Sequence, residues 1–194
     1  MPSDAAEQPH RVRAPSGRRT SLSLGRSCGT LAPSQQQMNL NDLTVNFAHL
    51  DRQALVSDWS WLIGKSKLPI LLLASGDAFV QDAKAGSVHF LDVGAGTLSQ
   101  VTPSFEKFKH LLSDRDFVLK YFAVDMIADL RQSGCTLAPG QIYSFKIPPI
   151  LGGAYALENV EPTDIEVHYS VAGQVHEQVS NLPEGAAISG ISIK

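Results

Sequence analysis

PILLLASGDAFVQDAKAGSVHFLDVGAGTLSQV, residues 69–101, reads as four short strands in succession. Apolar runs at 70–75, 78–82, 87–93 and 97–101 are separated by Gly76-Asp77, by 83–86 and by Gly94-Ala95-Gly96. Each break is short and contains glycine, which is the signature of hairpin connections. The stretch therefore predicts an antiparallel meander. Residues 70–74 are apolar on both faces, which suits a central strand. Val88, Phe90 and Val93 are the expected inward residues of the third strand, with His89 and Asp92 outward. The GAG tripeptide precedes a strand instead of a helix and lacks the longer phosphate-binding fingerprint, so it reads as a turn.

Upstream, residues 39–47 form a short lead-in with one edge strand through Leu43, Val45 and Phe47. Asp51 is placed to cap a helix over 52–63, whose Leu55, Trp59 and Leu62 share a face, and Gly64 ends it. Trp59 and Trp61 suit either a partner groove or the core. Downstream, Ser104 caps a helix over 105–112, and Asp114 or Asp116 caps the longest one, running to about Gln132. Asp125 and Asp129 lie one turn apart on it and read as a solvated edge. Pro139-Gly140 turns the chain into a fifth strand at 141–147.

That strand runs into Pro148-Pro149, which cannot donate to a ladder, and then into Gly152-Gly153, which permit positive φ or a close backbone approach. A polar loop through Asn159 and Glu161 is expected next. Thr163-Asp164-Ile165-Glu166 matches a capping box, and apolar residues recur at helical spacing from Ile165 to Val179. A strand reading competes, because Ile165, Val167 and Tyr169 also alternate. The cap and the longer series favour a helix, with Gly173 as its awkward member. The fold class is thus α+β: an antiparallel sheet of about five strands with about four helices packed mainly on one side, preceded by a disordered tail.

The tail is residues 1–37. It is rich in Arg, Ser, Pro and Gln and poor in large apolar groups, so it cannot offset its ordering entropy. A targeting peptide and an artefactual start, with translation beginning at Met38, are the competing readings. The single domain is 38–194. Five Arg against Asp4 and Glu7 give the tail +3; the remainder has 16 − 5 = 11 basic and 19 − 2 = 17 acidic residues, or −6. An acidic body lacks the basic footprint of a nucleic-acid binder and suits a basic partner, although mild acidity also aids solubility. No apolar run is long enough for a membrane helix. Cys28 and Cys135 read as free thiols, consistent with a cytoplasmic protein.

No catalytic motif emerges. His176-Glu177-Gln178-Val179-Ser180 begins like a zinc-protease helix but has Ser180 in place of the second histidine. His168 and His176 are eight residues apart, too far to share a metal on a straight helix. They suit partner contacts, a pH-responsive pair, or quiet packing at a helix–sheet seam. Neither cofactor nor metal is expected.

YSFKIPPILGGAY, ENVEPTDIEVHYSVAGQVHEQV and NLPEG resemble the C-terminal domain family of type VI secretion DNase immunity proteins. LPILLLASGDAFVQD and VHFLDVGAGTL resemble the same family's opening strands. The resemblance covers roughly residues 38–188. It implies a non-enzymatic protein that binds and neutralises a cognate secreted toxin, a nuclease being the candidate, by covering its active surface or preventing its assembly; the acidic body suits a basic toxin. The expected face is the 152–161 loop with the exposed side of the last helix: Tyr155, Asn159, Glu161, Gln174, His176 and Gln178, with Pro148, Pro149, Gly152 and Gly153 as the hinge. The alternatives are a ligand- or peptide-binding module with PPILGG as a pocket lip, and a hydrolase using His168 or His176 as base.

Overall fold

The computed structural model describes residues 38–183, 188 and 190–194. The expected tail at 1–37 and the Glu184-Gly185 turn lie outside them. The described part opens with a one-turn helix, α1 (Leu40–Leu43), and a two-residue strand, β1 (Thr44–Val45). Asn39 and Asp42 exchange side-chain bonds with each other's turn as a capping box. Asp51 caps α2 (Arg52–Leu55), accepting from the amides of Gln53 and Ala54 at 2.8 and 3.0 Å. The single helix expected over 52–63 is instead broken. A 3-10 turn, Ser57–Trp59, separates α2 from α3 (Ser60–Ile63). The break places Trp59 fully inside, where its indole N–H donates to the Tyr169 carbonyl at 2.9 Å. Burying a tryptophan with its N–H satisfied outweighs a few helical hydrogen bonds.

The meander forms as read: β2 (Lys67–Leu73), β3 (Ala78–Asp82), β4 (Val88–Asp92) and β5 (Thr97–Thr102). With β1 they make one antiparallel sheet in the order β1-β2-β3-β4-β5. Register slips between Pro69 and Leu71, at the proline that has no N–H to give the ladder. Alternation along β3 then decides the layers. Ala78 and Val80 face a core with Leu55, Trp59, Ile63, Leu91 and Tyr169. Phe79 faces a second core with Phe108, Phe117, Phe122 and Ile127. Helical segments therefore cover both faces of the sheet, where packing mainly on one side was expected. The near-continuous apolar run of β2 and the Ala78-Phe79-Val80 triplet are the signature of that two-sided burial.

Ser104 caps α4 (Phe105–Leu111) and Asp114 caps α5 (Arg115–Tyr121). The longest helix expected, to Gln132, is also divided: α6 (Val124–Gln132) follows Ala123, which takes left-handed φ 47°, ψ 41°. The corner lets Phe122 enter the Phe79 cluster while Ile127 and Leu130 still bury. Next comes β6 (Gln141–Phe145). It does not join the large sheet as a fifth strand; that place belongs to β1. It pairs antiparallel with β7 (Val160–Asp164), where the sequence suggested a polar loop. One bond, Tyr143 N–H to the Ala74 carbonyl at 2.8 Å, ties this ribbon to the end of β2.

The last element is a helix, α7 (Ile165–Ser180). Its cap is Asp164, one residue beyond the Thr163 expected. Thr163 is held extended opposite Ile142 in the ribbon, so the first free carboxylate takes the Glu166 and Val167 amides, at 2.9 and 3.1 Å. Gly173 is explained by proximity. A Cβ there would lie 2.7 Å from the Asp58 carbonyl oxygen, on the backbone of the 3-10 turn. Gly173→Ala is therefore expected to lose about 1–3 kcal/mol by overpacking, reduced by roughly 1 kcal/mol of helix propensity. A urea midpoint equal to or above that of the parent protein would show that the turn yields freely.

Candidate functional site

A cleft of about 360 Å³ opens between the ribbon, the start of α7 and one end of the large sheet. Its lip is the segment after β6. Pro148 and Pro149 end the ladder, a 3-10 turn Pro149–Leu151 follows, and Gly152 takes φ 91°. Gly153 packs directly on the Ile147 carbonyl, where any Cβ would overlap it. Asn159 closes the loop from below. Its Nδ2 donates to the carbonyls of Ile147 (2.8 Å) and Ala154 (2.9 Å), and its Oδ1 accepts from the Ile147 amide (3.0 Å). The Lys146 ammonium donates to the Glu158 carbonyl at 2.8 Å. Tyr155 stands on Phe145 edge to face, centroids 5.4 Å apart.

The floor is polar. Asp77 follows the tight turn after β2, and the Ala78–Leu91 pairing brings it beside Asp92. Its carboxylate accepts from the Val93 amide at 2.9 Å and the Ser75 hydroxyl at 2.9 Å. The side chain still opens to the cleft, yet protein surrounds it on the other sides. Burial, and then the charge of Asp92, push its pKa up to about 7. His168 Nδ1 lies 2.8 Å from the Ser144 hydroxyl, and its Nε2 has no partner among the described residues. Burial drives its pKa down to about 4. Burial also lowers His176, whose ring rests on Trp59 at 5.5 Å and against Gly96. The Tyr169 hydroxyl, buried without a partner among the described residues, is pushed up by burial and by Asp77.

The residues singled out from sequence separate into two groups. Tyr155, Glu161 and His176 line the cleft, with Asn159 under its lip. Gln174 and Gln178 instead hold the C-terminal segment. Gln174 accepts from the Lys194 amide at 2.8 Å, and Gln178 exchanges bonds of 2.8 and 3.0 Å with the Ser192 backbone. Asp77 and Ser144 were missed, and Asp92 was read as an outward residue. The register of the β3–β4 hairpin was the available signal, since it sets 77 next to 92. Asp125 and Asp129 are exposed on α6, and Cys135 is a free, half-buried thiol. Among the described residues no cluster of three His, Cys, Asp or Glu forms a metal site, and no helix is long and apolar enough to cross a membrane.

Fold and site together define an α+β domain with a lipped cleft built largely by its C-terminal half. Residues 102–176 match the family model described as T6SS immunity protein Tdi1, C-terminal. The match agrees with the resemblance drawn from the sequence over the span that runs from the end of β5 through the lip to the His176 turn of α7. No curated protein matches. Among solved structures, the chain is similar to the crystal structure of Atu4351 from Agrobacterium tumefaciens, at 19% identity and a TM-score of 0.45. The similarity covers 64% of this chain and 65% of that one, just under two thirds of its length.

Proposed function

We propose that this protein binds and neutralises a cognate secreted toxin, a nuclease being the first candidate, in the cytoplasm and without catalysis. The observation that carries the reading is the family match over residues 102–176. That span includes the lip, the ribbon and most of α7. The partner would be covered by the cleft mouth, with Tyr155, Glu161 and His176 at its edge and Asn159 holding the lip in shape. Gln174 and Gln178 would act at one remove, by holding the C-terminal segment beside α7. The −6 charge of residues 38–194 favours a basic partner and fast, salt-sensitive association.

Co-expression of the full chain with the toxin candidate encoded beside it tests this. Restored growth, and a complex that weakens from low to high salt, are expected. Growth arrest unchanged by the full chain, with both proteins expressed, would sink the reading.

One observation favours a second reading, a ligand-binding module. Pro148 and Pro149 do line the cleft, as a pocket lip would. It predicts thermal stabilisation by a small molecule in the absence of toxin. A hydrolase fits less well. Burial lowers the pKa of both His168 and His176, whereas an efficient general base is poised near neutral pH.

A further inference from the structure

The cleft combines three properties that bear on what it holds. Its walls are apolar: Phe145, Val171 and Val175 line it. Its floor carries Asp77 and Asp92 side by side, and among the described residues neither forms an ion pair. The nearest cation on the lip, Lys146, is turned to the Glu158 carbonyl. The two histidines do not supply the missing charge, because burial keeps them neutral at pH 7. Its rim is apolar and open to solvent. Tyr155 is 75% exposed and Val167 53%. Exposed apolar groups gathered around one concavity mark an interaction site more than scattered ones do. Glu161 also lines the cleft, and it forms no ion pair among the described residues.

We propose that the cleft is the anchor pocket for one basic side chain, arginine or lysine, projecting from an apolar patch of the bound partner protein. The aliphatic stem would lie along Phe145 and Val175, and the charged head would meet Asp77 and Asp92. The patch around it would cover Tyr155 and Val167. Charge complementarity selects this occupant. Beside Asp92 in this cleft, Asp77 keeps its proton up to about neutral pH, and a guest cation can take the place of that proton and meet both carboxylates. An arginine or aromatic anchor in a central pocket, ringed by contacts that exclude water, is how protein interfaces concentrate affinity. The inference rests on the toxin-binding reading for the partner's identity, but the pocket chemistry can be examined without the toxin.

The experiment titrates the full chain with acetyl-Leu-Arg-Leu-amide and with its citrulline counterpart, which has nearly the same shape and no charge. Calorimetry and NMR shift mapping are the readouts. The arginine peptide is expected to bind about tenfold or more tightly than the citrulline peptide. Its shifts are expected at Phe145, Tyr155 and Val175, and Asp92→Asn is expected to abolish the preference. Asp77→Asn serves as a second variant where it folds. Equal affinities, shifts elsewhere, or no binding of either peptide would overturn the anchor. Toxin binding that survives with no arginine preference would remove the anchor and leave the proposed function standing. Arginine preference without toxin binding would do the reverse.

Discussion

Phe79→Ala is expected to cost about 3–5 kcal/mol, a large part of the stability of a domain this size. Phe79 is fully buried in the middle strand of the sheet. Five aromatic rings surround it, with centroids at 4.8 Å (Phe108), 5.2 Å (Phe90), 5.7 Å (Tyr121), 5.8 Å (Phe117) and 5.8 Å (Phe122). They come from β4, α4 and α5 and from the corner before α6, so no single element can move to fill the hole. Rigid neighbours leave the cavity open, which is what makes such truncations costly. Phe105→Ala is the matched control. Its ring is 39% exposed beside Phe108, and its loss is expected to stay below about 1 kcal/mol. Urea unfolding followed by circular dichroism measures both. Equal losses would show that the aromatic cluster is not a cooperative core.

Acid titration of stability is expected to be nearly level between about pH 4 and 7 in the parent protein and steep in Asp77→Asn. The two buried groups of the cleft act in opposite senses. Asp77 has its pKa raised from 3.8 to about 7, so in this window the folded protein holds a proton that the unfolded chain releases. Stability from this group falls as pH rises, by up to about 4 kcal/mol in all. His168 is lowered from 6.5 to about 4, so the unfolded chain takes up a proton that the folded protein refuses. Stability from this group falls as pH drops, by up to about 3 kcal/mol. His176, lowered in the same direction, adds to the histidine side. The slopes offset one another while both groups are present. Asp77→Asn removes one and leaves the histidine slope uncovered, with stability at pH 8 equal to or above that of the parent protein. A variant with the parent's pH profile would show that Asp77 titrates normally.

The meander was legible because each of its turns is short and contains glycine, and because β2 and β3 are too apolar for one-sided burial. The last helix was legible from spacing. What escaped were breaks that only tertiary packing creates. Helical periodicity runs straight through Val56 and Ala123, and nothing local says that Trp59 and Phe122 must turn inward there. Ribbon pairing escaped for a similar reason. Val160-Glu161-Pro162-Thr163-Asp164 is a poor strand by composition, and it forms because β6 needs a partner once Pro148 and Pro149 have closed its far end. The site was half legible. Tyr155 and Glu161 lie in the loop and strand that carry the lip. Asp77 and Asp92 are remote in sequence from that lip, and only the folding of a hairpin against a helix brings all of them to one cleft.

The latch between Trp59 and Tyr169 has a consequence for how the chain is made. The sheet is complete once Thr102 has been synthesised, but the residue that seals its first face, Tyr169, arrives only with α7. At about 5–20 residues per second the interval is on the order of 3–13 s. Throughout it, Ala78, Val80 and Leu91 lack their final cover, and the Trp59 indole lacks its acceptor. A nascent chain stalled before α7 would thus present a sticky, open sheet face instead of a smaller folded protein. It would be a substrate for holding chaperones until the last helix is released.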